Sequence, residues 1–126
     1  MKEHNLITGN IVNAAYLIHK ELGPGLLETV YETVLFHELV DRGLHVERQK
    51  PMSITFNGIK FDEGFRADLV VEEKVIVELK SVEKVVRAHK KQLLTYIRLT
   101  GMRIGLLINF GEYLLKDGVS RIVNGL

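Results

Sequence analysis

The chain's 126 residues leave room for one hydrophobic core, and a composition of 46% hydrophobic and 26% charged residues excludes a disordered chain. The absence of cysteine excludes disulfides, thiolate metal sites, iron–sulfur clusters and a cysteine nucleophile. A net charge of +1 hides an asymmetry: seven basic residues against Glu83 between Lys80 and Arg103 give +6, and the remainder carries −5. One face that attracts polyanions is expected from that split; a solvated helix face is the plainer alternative.

Met1-Lys2-Glu3-His4-Asn5 leads into an amphipathic stretch with no signal-peptide core, and the longest apolar runs are far too short to span a bilayer. A cytoplasmic protein is expected, folded as one domain over residues 1–126. Ile7, Ile11, Ala14, Ile18 and Leu22 recur at helical spacing and predict a first helix ending at Gly23-Pro24-Gly25. A second helix is predicted from about Leu26 to Arg42, with Leu27, Val30, Val34 and Leu39 on its buried side and Gly43 as its stop. Extended chain follows from His45 to Phe56, where Pro51 argues for an edge strand or a bulge. Asn57-Gly58 signals a two-residue hairpin, and Phe65 to Val71 and Val75 to Lys80 read as strands. A third helix is predicted from about Glu83 to Thr100, then a short buried strand from Arg103 to Phe110 and a final hairpin at Asp117-Gly118. The order predicts an α/β fold, a central mixed sheet flanked by helices.

Strand alternation places Phe65, Ala67, Leu69 and Val71 on one face, and Arg66 and Asp68 on the other. On the next strand Glu78 and Lys80 share a face. Register decides whether these charges meet. A two-residue turn at Glu72-Glu73 would set Asp68 opposite Val77; a three-residue connection through Lys74 pairs Val71 with Val75 and sets Asp68 opposite Glu78, as would a bulge near Asp68. The turn lacks the glycine or asparagine of a tight hairpin, which favours the longer connection. Two convergent carboxylates suit a hard cation such as Mg²⁺, which takes oxygen ligands and leaves room for water and phosphate. Lys80, on the face of Glu78, is placed to orient water or to offset charge in a transition state. The plainer alternative is a surface ion pair on a solvent-facing sheet.

Gly25, Glu28 and Tyr31 share a stripe on the second helix, where Glu28 is either a first-turn acid favoured by the helix dipole or a ligand. His89, Gln92 and Tyr96 form a polar stripe on the third helix beside Val86, Leu93 and Ile97. Arg87, Lys90 and Lys91 are placed to contact a nucleic-acid backbone. Other chemistries fail. His37-Glu38 is followed by Asp41 where a zinc-protease helix needs histidine, Gly23-Pro24-Gly25 has no preceding strand, and no Gly-Lys-Ser/Thr loop exists. The remaining histidines show no ligand spacing.

Gly25-Leu26-Leu27-Glu28-Thr29-Val30-Tyr31 resembles the signature of the GxxExxY protein family, assigned to the PD-(D/E)XK nuclease superfamily. The similarity extends through Arg66-Ala67-Asp68, Val77-Glu78-Leu79-Lys80-Ser81, His89 to Tyr96, Leu99-Thr100-Gly101 and Ile104 to Phe110. Ala67 stands where the namesake proline would be. The resemblance implies a restriction-endonuclease-like core, with Asp68 and Glu78 as metal ligands, the Leu79 carbonyl in the metal shell and Lys80 as the catalytic lysine. It implies Glu28 as an additional metal contact, with Gln92 and Tyr96 in supporting roles. The expectation is a Mg²⁺-dependent nuclease, with Mn²⁺ as substitute, acting on nucleic acid and most readily on DNA. Glu28, Asp68 and Glu78 would hold metal, Tyr31 would support them, and Lys84, Arg87, Lys90 and Lys91 would grip phosphates. A homodimer suits the cutting of both strands of a duplex. The alternative is a nucleic-acid-binding or regulatory module that keeps the fold without cutting.

Overall fold

The structure is a computed structural model that describes residues 2–125, so the two ends of the expected domain, Met1 and Leu126, lie outside the described residues. Two helices, α1 (Lys2–Leu22) and α2 (Glu28–Asp41), precede three strands, β1 (Val46–Phe56), β2 (Ile59–Val71) and β3 (Val75–Lys80). Helix α3 (Arg87–Thr100), strand β4 (Ile104–Asn109), a 3-10 turn (Leu115–Gly118) and strand β5 (Val119–Val123) complete the chain. The sheet order β1-β2-β3-β4-β5 follows the chain; β3 and β4 run parallel, and every other pair is antiparallel. The fold is therefore α/β with a five-stranded mixed sheet, consistent with a restriction-endonuclease-like core. Among the described residues no helix is long and apolar enough to cross a membrane.

Apolar residues on the two sheet faces build two cores. Ile11, Ala14 and Ala15 of α1 and Tyr31, Leu35 and Leu39 of α2 pack on Leu69, Val71, Val77, Leu79, Leu106 and Ile108. On the other face Leu93 and Ile97 of α3 pack on Val70, Ile76 and Leu107. Strands β3 and β4 are covered on both faces, which is why β4 reads as an almost unbroken apolar run and β3 is apolar up to Glu78. Gly105 lets α3 sit close, because a Cβ there would stand 2.7 Å from Leu93.

The β1–β2 loop is Asn57-Gly58 with φ of 49° and 78°, the pair of left-handed residues of a type I′ turn. β1 is an edge strand carrying Pro51, with a register shift between Met52 and Ile54.

Four expectations are corrected. The buried stripe of α2 is Tyr31, Glu32, Leu35 and Leu39; Leu27 precedes the helix at 75% exposure, and Val30 and Val34 face outward because Tyr31 turns the helix toward the sheet. Helix α3 begins at Arg87 rather than Glu83, leaving Lys84 in a loop and Val86 exposed at the N-cap. The loop is held open by Asn109, whose Oδ1 accepts from Val82 N–H (3.0 Å) and whose Nδ2 donates to Val82 O (2.9 Å). Asp117-Gly118 ends the 3-10 turn instead of forming a tight hairpin; Gly118 is required by close approach, since a Cβ would stand 2.4 Å from Asn109 O. Finally, Phe65 and Ala67 do not share a core with Leu69 and Val71: the first two pack on the α3 side and the last two on the α1/α2 side. In β1, Val46 and Met52 divide in the same way. The ribbon turns over between them, where Gln49 takes φ of 45° opposite Asp68.

A candidate metal centre at the fork between β2 and β3

The three-residue connection Glu72-Glu73-Lys74 pairs Val71 with Val75, then Val70 with Ile76 and Leu69 with Val77. The next opposed residues are Asp68 and Glu78, and here the backbone ladder stops. Side chains complete it: Asp68 N–H donates to Glu78 Oε2 (3.1 Å), and Leu79 N–H donates to Asp68 Oδ2 (2.8 Å). The strands fork, and two carboxylates fill the fork from opposite sides. An extended residue sends its N–H and C=O to the same side, so the Leu79 carbonyl opens toward the same gap as Asp68.

Electrostatics mark the pair. Glu78 is only 9% exposed, and burial, then the charge of Asp68 beside it, pushes its carboxyl up to about 9. Lys80 pulls in the opposite direction without cancelling them. Two carboxylates forced together away from water need either a proton or a cation. The donor set of Asp68, Glu78 and the Leu79 carbonyl is all oxygen, so it fits a hard divalent ion.

Tyr96 of α3 stacks on Phe65, with centroids 3.7 Å apart, and faces the pair: burial, then Glu78 and Asp68, raise its hydroxyl above the ordinary tyrosine value. Gln92, one turn earlier, is exposed and makes no side-chain hydrogen bond among the described residues. Tyr31 is built into the core, stacked on Phe110 at 4.3 Å, with its hydroxyl donating to Gly23 O and accepting from Leu26 N–H. It fixes the turn from which α2 starts. Ser81 donates to Leu26 O, docking that turn beside the end of β3. Glu28 stands exposed there, lining a cleft with Gly25, Leu26 and Ser81. Its carboxylate is not gathered with those of Asp68 and Glu78 in a three-ligand cluster. Lys84, Arg87, Lys90 and Lys91 are exposed, and none forms an ion pair among the described residues.

Two groupings escaped the sequence reading. Glu32, buried one turn after Glu28, accepts from Gln49 Nε2 (2.6 Å) and Arg48 Nη2 (3.2 Å), and the same Gln49 nitrogen lies 3.2 Å from Asp68 Oδ1. The Tyr31–Leu35–Leu39 period was the available signal, because it turns Glu32 toward the sheet. At the other end of the β2–β3 hairpin, His45, Glu47 and Glu73 offer ligand atoms all within 4.8 Å of one another. His45 and Glu47 share a strand face at spacing two, but only the turn brings Glu73 to them.

No curated protein matches the chain. A model of the PD-(D/E)XK nuclease superfamily matches residues 5–122. That match takes in both helices before the sheet, the fork and α3, and by it the chain belongs to the PD-(D/E)XK nuclease superfamily.

Proposed function

We propose that this protein is a Mg²⁺-dependent nuclease of the GxxExxY branch that hydrolyses phosphodiester bonds of DNA, with Mn²⁺ able to substitute. The observation that carries the reading is the forked ladder, in which Asp68 and Glu78 exchange side-chain hydrogen bonds with each other's strand. In this proposal Asp68, Glu78 and the Leu79 carbonyl hold the metal, and Glu28 joins from the cleft at the start of α2. A bound divalent ion would neutralise the two carboxylates, stabilise charge on phosphate oxygens and acidify water.

The chain's own residues do the rest. Lys80 follows Glu78 by two positions on the same strand face, where its ammonium orients the attacking water and offsets charge on the phosphate. Tyr96, facing the carboxylates, supplies a neutral hydroxyl, and Gln92 extends the polar edge of α3 toward substrate. Tyr31 supports the site through the turn that sets Glu28. Lys84, Arg87, Lys90 and Lys91 grip the nucleic-acid backbone, since unpaired exposed cations are free to replace counterions. We place the protein in the cytoplasm, acting as one domain over residues 1–126 and as a homodimer when both strands of a duplex are cut.

The test is cleavage of supercoiled plasmid and labelled single strands in Mg²⁺ or Mn²⁺, with Asp68→Ala and Lys80→Ala beside the unmodified protein. The expected result is metal-dependent cutting that falls at least about 100-fold in both variants. Undiminished cutting in both, or no cutting of any substrate together with no metal binding, overturns the proposal in favour of a non-cutting module.

A further inference from the structure

We propose that Gln49 is a positioning residue of the candidate metal centre: its side-chain amide orients the Asp68 carboxylate and holds Glu32 apart from it. The inference rests on reading Asp68 and Glu78 as a metal site.

The first observation is backbone strain. Gln49 has φ of 45° in the middle of β1, although Arg48 and Lys50 on either side keep regular register with Leu69 and Ala67. A left-handed non-glycine residue costs about 1–2 kcal/mol, and such residues persist where surrounding contacts over-determine them. The second observation is what the strained residue does. Its Nε2 stands 2.6 Å from Glu32 Oε1 and 3.2 Å from Asp68 Oδ1, so the two amide hydrogens serve two carboxylates.

An amide suits that place better than a cation would. Carboxylates only accept hydrogen bonds, so two of them close together need a donor between them. A lysine or arginine would supply the donor but would also cancel the charge of Asp68, which a metal ligand must keep. Gln49 brings two donors and no charge. The charge of Glu32 is met separately, by Arg48, whose guanidinium also donates to Thr33 and lies 5.1 Å from the centre of the Phe36 ring. Asp68 gains two fixed points, Gln49 of β1 on Oδ1 and Leu79 N–H of β3 on Oδ2. Two donors from strands on either side leave the carboxylate little freedom to rotate. Each oxygen retains a lone pair for a cation.

Groups that hydrogen-bond a metal's ligands typically set affinity by 10–100-fold. The test is calorimetric titration of the full chain with Mn²⁺, alongside thermal unfolding in chelator. Glycine adopts the left-handed conformation freely, so Gln49→Gly removes the amide and relaxes the backbone together. Asparagine also tolerates positive φ, and Gln49→Asn keeps the amide one methylene too short to reach both carboxylates. The expected result is Mn²⁺ affinity about 10–100-fold weaker in both variants, with melting temperatures in chelator close to the unmodified protein's. Should the glycine variant fail to fold, the asparagine variant carries the same comparison. Affinity within about twofold of the unmodified protein in a folded variant overturns the role of Gln49 and leaves the metal centre standing. Absence of Mn²⁺ binding by the unmodified chain overturns the metal centre itself, and this inference with it.

Discussion

Without a bound cation, Glu78 is an acid that the fold keeps protonated through neutrality. Its carboxyl is pushed up to about 9 by burial first and by Asp68 second, whereas in the unfolded chain it titrates as an ordinary carboxylate. The folded state therefore binds the extra proton, and the stability this contributes is complete at acid pH. It is lost progressively as pH rises from the ordinary carboxylate range toward about 9. In chelator, the melting temperature should fall across that window, and Glu78→Gln, which resembles the protonated acid, should flatten the fall while removing metal binding. A flat profile in the unmodified protein would contradict the buried pair. The meeting of Asp68 with Glu78 was readable in advance because either a three-residue turn or a bulge near Asp68 produces it, and the turn is the one the fold uses. Glu72 and Glu73 accept φ of 55° and 56° to make the longer connection, held by a hydrogen bond from His45 N–H to Glu72 Oε2. The Glu32–Gln49–Asp68 contact was not readable: it depends on the rotation of α2 about its axis and on a backbone departure that no residue type announces.

The loop from Ser81 to Val86 joins the end of β3 to α3, and a fully buried asparagine governs its course. Asn109 satisfies both backbone groups of Val82 and also accepts from Gly111 N–H (3.0 Å). Asn109→Ala would strand these groups in a dry interior, where an unmet donor or acceptor costs about 1–3 kcal/mol. We expect a loss of about 2–3 kcal/mol in denaturant unfolding, together with weaker metal binding as Lys80 and Leu79 lose their anchored neighbour. A loss below about half a kcal/mol would show that the loop is held elsewhere. Most elements were readable from period and turn chemistry: the apolar spacing of α1, the Asn57-Gly58 turn and the unbroken apolar run of β4 each had one interpretation. The start of α3 did not, because Glu83 to Val86 carries helical spacing and the bonds of the distant Asn109 to Val82, just before it, are not visible in the chain.

Across the whole molecule, the excess of +6 between Lys80 and Arg103 includes Arg87, Lys90 and Lys91, which lie exposed on α3, while acidic residues predominate elsewhere. Because these cations form no ion pair among the described residues, binding to DNA should weaken steeply with salt. Replacing Lys90 and Lys91 by alanine should reduce the slope of log K against log salt by about 1.8, at roughly 0.9 per phosphate contact. Fluorescence anisotropy across a salt series measures it, and an unchanged slope would move the nucleic-acid surface away from α3. The charge split and its placement on the third helix were visible in the chain; the exposure of Arg87, Lys90 and Lys91 needed the fold.

The sheet's order, in which every strand lies beside its neighbours in the chain, has a kinetic consequence. Contacts between adjacent segments close short loops, so such topologies fold quickly and the β2–β3 hairpin is among the least costly pairings to form. The two carboxylates are therefore expected to meet early, so that their mutual repulsion would act on the folding barrier as well as on the finished site. If the proposed ion binds, a divalent cation that relieves this repulsion is expected to raise the refolding rate, and refolding kinetics with Mn²⁺ against chelator measure it.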